Sequence, residues 1–121
     1  MSDPDQRDLL RGSLDLLVLS VLAEEPRYGY RIQKRIAEVS GQTIKLQAGS
    51  MYPLLHRLES EGAIISRWER DTGRERKWYE LTPAGRKRLE RQACAWQQYA
   101  RTVRHLLDSA LGPDAGAPDP T

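Results

Sequence analysis

Apolar residues recur with helical spacing along most of the chain. In residues 9–25, LLRGSLDLLVLSVLAEE, one stripe runs through Leu10, Leu14, Leu17, Val18 and Val21, while Leu9, Leu16 and Leu19 lie off it. A helix apolar on two sides must be covered on two sides. In a chain this small, another subunit could supply the second cover. Pro26 ends this helix. In residues 28–40, YGYRIQKRIAEVS, the core face is Ile32, Ile36 and Val39, with Arg31, Lys34 and Arg35 outside and Ser40-Gly41 as the stop. Residues 43–46, TIKL, predict a very short strand with Ile44 and Leu46 on one side. A third helix follows in GSMYPLLHRLESEGAI, where Met51, Leu54, Leu55 and Leu58 keep the i, i+3, i+4, i+7 spacing. Gly62 suits its left-handed C′ position. Ser50 could cap its start, with Pro53 in the first turn; alternatively the helix begins near Gln47 and Pro53 bends it slightly.

The period then changes to two. Residues 64–69, IISRWE, and 77–81, KWYEL, predict a hairpin, with RDTGRER as a loop turning at Asp71 and Gly73. That loop is longer and more basic than a hairpin needs. Thr82-Pro83 opens a last helix, Thr as cap and Pro in the first turn. Along it Leu89, Ala93, Trp96, Ala100, Val103, Leu107 and Ala110 alternate spacings of four and three. This heptad seam predicts pairing with the same helix of a second copy. Packing against the chain's own first helix is the alternative. Residues 112–121, GPDAGAPDPT, are expected to be a disordered tail. The expected organisation is a winged unit over 1–82, a dimerisation helix over 83–111, and the tail.

Composition narrows the function. The chain of 121 residues is 39% hydrophobic and 30% charged, enough for one modest core. No apolar run reaches the ~18 residues of a membrane span. The acidic N-terminus lacks an apolar signal region, and the single Cys94 excludes an internal disulfide, so a cytoplasmic location is expected. The net charge of +2 is unevenly spread: −4 over residues 1–25, +3 over 26–63, +4 over 64–91 and −1 over 92–121. A positive middle points to a polyanionic partner.

Helix, helix, short strand, helix, hairpin and long helix is the order of a winged helix-turn-helix, a mainly α fold with a small β-hairpin. The helix after the turn enters the major groove of DNA, and the wing lies along the backbone. Gly49 and Ser50 would let backbone N–H groups approach phosphate. Tyr52, His56 and Arg57 could reach phosphates or base edges. Pro53, and Arg31 and Lys34 on the second helix, join this candidate surface. On the wing, Arg67, Arg70, Arg74, Arg76 and Lys77 would supply the electrostatic grip.

The chain also resembles the PadR family of transcriptional regulators. The matching residues are Tyr28-Gly29-Tyr30, then Gly49-Ser50-Met51-Tyr52-Pro53 with Leu55, Arg57-Leu58-Glu59 and Gly62. They continue with Trp78-Tyr79, Leu81-Thr82 and Gly85, and the likeness spans roughly residues 9–107. The single long last helix is similar to the shorter-tailed subfamily. The resemblance implies a homodimer that binds a near-palindromic double-stranded operator and usually represses. It implies that Tyr52 contacts phosphate or base from the recognition helix. Tyr28 and Tyr30 would be positioning residues; Tyr30 is expected in the core, and Tyr28 is left open between core and DNA. Leu9, Leu16, Leu89, Ala93, Trp96, Ala100, Val103 and Leu107 are the expected dimer interface.

No catalytic or metal chemistry is expected. Cys94 and His105 lie about 16 Å apart along one helix, without a third partner for a triad. Two histidines and one cysteine make no zinc site, and no phosphate-binding glycine loop is present, so neither metal nor cofactor is expected. Glu59 should pair with a nearby base. Trp96 stands out as a bulky ring between Ala93 and Ala100. It is either ordinary packing or the wall of an inter-subunit cavity for a flat aromatic effector. Similar proteins sense phenolic or drug-like compounds in that way.

Overall fold

The computed structural model describes residues 4–71 and 73–113, and for residues 4–12 and Asp71 it describes the backbone alone. Its elements are α1 (Pro4–Glu24), β1 (Arg27–Tyr28), α2 (Gly29–Val39), α3 (Ala48–Ser60), β2 (Ile64–Asp71), β3 (Arg74–Leu81) and α4 (Pro83–Leu111). This is the expected mainly α winged fold with a long last helix. The tail from residue 114, and the side chain of Leu9, lie outside the described residues.

α1 turns much of the expected stripe inward, with Val18 and Val21 buried and Leu17 packed on the core, but the buried face is rotated toward Leu19 and Leu22; the side chain of Leu10 lies outside the described residues. Val18, Leu19 and Leu22 are buried and Leu14 is 40% exposed. Leu19, expected off the stripe, is therefore core. The buried face follows i, i+3, i+4, i+7 from residue 15, and Asp15 itself is only 2% exposed. A carboxylate inside an apolar stripe is invisible to a count of apolar positions. On α2, Ile32 and Ile36 are buried as expected, but Val39 is 68% exposed at the helix end.

No strand forms over residues 43–46. α2 instead ends in a double-bonded turn, with Gln42 N donating to Ala37 O at 2.7 Å and Gly41 N to Glu38 O at 3.2 Å. Gly41 and Gln42 both take positive φ, so the chain turns there rather than extending. Leu46 is buried while Ile44 is 40% exposed, so the two do not share a face. α3 starts with Gln47 as its cap residue, which leaves Pro53 inside the helix. Its far end closes as the sequence predicts. Ala63 N donates to Leu58 O at 2.9 Å, Gly62 N donates to Glu59 O at 3.0 Å, and Gly62 has φ +79°. Met51, Leu54, Leu55 and Leu58 face the core.

The sheet has three antiparallel strands in the order β1-β3-β2. β1 is too short for a sequence period to reveal. It sets Arg27 opposite Tyr79 and Tyr28 opposite Trp78. The wing also departs from expectation. β2 and β3 stay in register from Ile64 opposite Leu81 out to Asp71 opposite Arg74. Most of the seven residues expected as a loop thus extend both strands, and Gly73 turns at φ +79° just before β3. Opposite charges face each other across the outer rungs, Glu69 with Arg76 and Arg70 with Glu75. Such pairs support strand pairing where the residues carry little β-propensity of their own.

α4 is fixed at its first turn. The Thr82 hydroxyl accepts from Gly85 N at 2.9 Å, as a cap residue should, and donates to Gly62 O at 2.6 Å. A Cβ on Gly85 would lie 2.0 Å from Ala63 O, so only glycine lets the helix come this close. Leu89 packs against the chain's own core cluster. Further along, Trp96, Tyr99, Leu106, Leu107 and Leu111 are exposed. Among the described residues no helix is long and apolar enough to cross a membrane.

Candidate nucleic-acid interface

The start of α2, the outer face of α3 and the wing enclose one groove of about 820 Å³. Tyr52 and His56 enter it from α3, Tyr28 from β1, Tyr30 from α2, and Trp68, Arg74, Arg76 and Lys77 from the wing. Tyr52 is 46% exposed beside core neighbours Met51 and Leu55, which are 0% and 1% exposed. The stripe of α3 therefore places it as the sequence predicts, off the core. Gly49, Ser50, Pro53 and His56 are exposed on the same helix. A Cβ on Gly49 would meet nothing within 4 Å, so the chain's own packing does not require glycine there.

Gly29 has the opposite character. A Cβ there would stand 2.8 Å from Tyr52 Oη, so the phenol lies directly across the first turn of α2. This gives the Tyr-Gly-Tyr sequence a physical reason. The glycine makes room for Tyr52, and the two flanking tyrosines build the groove wall. Their rings are parallel, 6.2 Å apart between centroids and 4° between planes. The Arg76 guanidinium lies 5.4 Å from the Tyr28 ring and 5.8 Å from that of Tyr30. Cation–π contact of this kind holds an arginine in place while leaving its N–H edge for an anion.

Tyr28 and Tyr30 reverse the expected order of burial. Tyr30, expected in the core, is 47% exposed. A hydrogen bond from Arg31 is the main cause holding its hydroxyl below the usual phenol range. Tyr28 is half-buried, donates to Glu69 Oε2 at 2.8 Å and meets the Trp78 ring edge-on at 4.6 Å. Pairing of β1 with β3 turns Tyr28 inward onto the wing, and the next outward position on α2 falls to Tyr30. Arg31 and Lys34 are exposed on α2 as expected.

Arg57 does not belong to this surface. Its Nη2 donates to Asp15 Oδ1 at 2.6 Å, and its Nη1 to Asp15 Oδ2 at 3.2 Å and Glu61 Oε1 at 3.3 Å. Hydrogen bonding to Asp15 is the main cause raising its pKa. A guanidinium so engaged has no fork left for phosphate. Sequence reasoning assigned it to DNA because its partner, Asp15, is 42 positions away and concealed in the first helix.

The wing bases are partly engaged. Arg70 pairs with Glu75 at 3.0 Å, Arg67 with Glu69 at 3.7 Å, and Lys77 with Glu59 at 3.8 Å. Glu59 thus finds the base expected of it and also accepts from the Ser66 hydroxyl. Lys77 lies 5.8 Å from both the Trp68 and Tyr79 rings. Burial, the largest cause, pushes the Tyr79 phenol pKa up. Trp68, 66% exposed and facing the groove, is a candidate that sequence reasoning passed over. It shares the side of β2 that carries buried Ile64, so period-two alternation alone points it inward and gave no signal of its exposure.

Of the expected interface residues, Leu16, Ala93 and Val103 are half-buried in the single chain, and Ala100 is exposed. Leu89 is held by the chain's own core. Trp96, 39% exposed, stacks on Tyr99 at 5.8 Å and 27°. No group of three or more potential metal ligands occurs among the described residues.

The fold recurs in solved structures of proteins similar to this chain. A transcriptional regulator of Mycobacterium tuberculosis is 33% identical over 80% of this chain and 88% of its own length. The crystal structure of a PadR family regulator from Eggerthella lenta superposes with TM-score 0.72 at 38% identity, covering 84% of this chain and 87% of that one. A transcriptional regulator from Clostridium thermocellum superposes at 0.74 with 30% identity, covering 81% and 96%. The family model described as the transcriptional regulator PadR-like family matches residues 18–91. That span runs from the buried face of α1 through the wing into α4, and the chain belongs to the PadR-like family of transcriptional regulators.

Proposed function

We propose that this chain acts as a homodimeric repressor on a near-palindromic operator. α3 enters the major groove, with Tyr52 and His56 near base edges or phosphates and the backbone at Gly49 and Ser50 against phosphate. The wing follows the adjacent backbone through Arg74, Arg76 and Lys77, and Arg31, Lys34 and Tyr30 extend the contact along α2. The observation that carries this reading is the groove: its aromatic and basic side chains come from several separate elements and converge on one face. Gly49, in the first turn of α3, has no intramolecular reason to be glycine, since a Cβ there would meet nothing within 4 Å.

Dimerisation through α4 is supported by its exposed apolar residues, among them Leu106 at 62% and Leu111 at 73%. Paired copies of α4 would set two recognition helices about 34–36 Å apart. Trp96 and Tyr99 supply an aromatic surface on that helix, and a planar aromatic effector held there would alter DNA affinity. It can do so only as far as it prefers one arrangement of the dimer over another.

A salt titration of affinity for duplex DNA tests the reading. The logarithm of affinity should fall with the logarithm of salt, by roughly 0.9 for each phosphate engaged. Arg76→Ala with Lys77→Ala should weaken all sequences alike and flatten the slope. A slope unchanged by both substitutions overturns the role of the wing, and a flat slope in the unmutated protein overturns DNA binding.

A further inference from the structure

Asp15 lies in the buried face of α1, 2% exposed, and both its oxygens are occupied. Arg57 of α3 donates to each, and Arg88 of α4 donates to Oδ2 at 2.9 Å. Glu61, the residue that ends α3, accepts from the same two arginines on the outer side, from Arg88 at 2.6 Å and Arg57 at 3.3 Å. The four side chains form a closed ring in which each carboxylate accepts from both guanidiniums. Planar two-pronged pairs fix orientation as well as distance. An apolar contact between helices would tolerate sliding and tilting; this ring does not.

The ring sits at one end of a lever. α4 is pinned to the end of α3 where Gly85 passes against Ala63 O and Thr82 bonds to Gly62 and Ala63. That contact is a pivot. Arg88, one turn further along α4, is a second point of attachment, and two points define an angle. At the other end of the lever stand Gly49 and Tyr52. A tilt of about 5° acting about 17 Å from a twofold axis moves a recognition helix by about 1.5 Å, nearly half a base-pair step.

We infer that Asp15 is a positioning residue that sets the angle of α3 to α4, and through it the half-site spacing the protein reads. The inference rests on the dimeric DNA-binding reading above. Asp15→Asn keeps the size of the side chain but removes its charge and puts an amide N–H₂ where a guanidinium now donates.

The unmutated protein, Asp15→Asn and Glu61→Gln are compared on half-sites selected from random DNA, with the centre lengthened or shortened by one base pair. Melting temperature and light scattering are recorded for each. The unmutated protein should prefer one spacing by about tenfold, the scale of a misplaced base contact. Asp15→Asn should remain a folded dimer and accept neighbouring spacings within about threefold, with Glu61→Gln between the two. If Asp15→Asn does not fold, Glu61→Gln carries the test, since its outer carboxylate is not needed to fill the core. A variant that melts earlier yet keeps the unmutated spacing profile makes Asp15 a purely structural residue and overturns the inference. An unmutated protein that ignores duplex DNA overturns the regulator reading, and the inference with it.

Discussion

Gly29→Ala separates what holds the fold from what shapes the groove. The new methyl would stand 2.8 Å from Tyr52 Oη, 3.1 Å from Cε1 and 3.2 Å from Cζ. Carbon contacts are comfortable from about 3.5 Å, so the phenol end must withdraw by roughly half an ångström or more. It is free to do so, because Tyr52 is 46% exposed and its hydroxyl end points into the groove. Leaving its rotamer well costs about 0.5–1.5 kcal/mol. At the first position of α2 alanine regains only part of the ~1 kcal/mol that separates it from glycine in a helix interior. The two terms offset in part, so stability should fall by about 1 kcal/mol or less, a few degrees in melting temperature.

DNA affinity should not be spared. A displaced Tyr52 hydroxyl loses a hydrogen bond to a charged partner, worth about 1.5 kcal/mol or roughly tenfold. Gly85→Ala is the control. Its methyl would meet backbone, Ala63 O at 2.0 Å, and should cost about 3 kcal/mol, the upper end for overpacking. Melting curves and duplex affinities are measured for Gly29→Ala, Tyr52→Ala and the double variant. With Tyr52 already removed, Gly29→Ala should cost no further affinity. A loss of affinity that persists in the Tyr52→Ala background refutes the reasoning, as does a fall in melting temperature equal to that of Gly85→Ala.

Leu55→Ala should destabilise by about 2–5 kcal/mol, since Leu55 is 1% exposed, whereas Tyr52→Ala should cost under about 1 kcal/mol; equal melting temperatures would place Tyr52 in the core. Val103→Asp puts an unpaired charge on the α4 seam at a cost of several kcal/mol and should yield monomers by light scattering; an intact dimer excludes that helix face as the interface. Hydrogen bonding from Arg88 holds the Glu61 carboxyl below its ordinary range. A depressed folded pKa gives stability that is full above the unfolded value and lost as pH falls through the folded one. The melting-temperature gap between the protein and Glu61→Gln should therefore be widest near neutrality and close below about pH 4; a constant gap across that range refutes the pairing.

What the sequence made legible was local. The turn at Gly62, the Thr82-Pro83 helix start and the inward stripe of α3 each follow from a few consecutive residues, and each is present. The errors share a cause: the deciding partner is distant. Arg57 reads as a surface base until Asp15 is placed beneath it. Tyr30 reads as core until a two-residue strand turns Tyr28 inward instead. The outer wing reads as loop because its residues have little strand preference, and only the opposite strand reveals the charge pairing that extends it. Gly29 shows the same dependence, because nothing near it in sequence says that a tyrosine from α3 crosses it.

If the wing meets DNA as proposed, its ion pairs bear on how the protein would find its site. Arg70, Arg67 and Lys77 each already face a carboxylate within 4 Å. A phosphate must displace that carboxylate, so the gain is the difference between two similar attractions, each small in water. Retention on random sequence scales with the phosphates neutralised, and a wing that exchanges partners holds more weakly than its count of bases implies. Such a surface favours short visits to non-operator DNA and rapid release. On the proposed reading, residence would then depend on the few contacts of α3 that a correct sequence completes, and the acidic residues among the wing's bases would speed the search by limiting its grip.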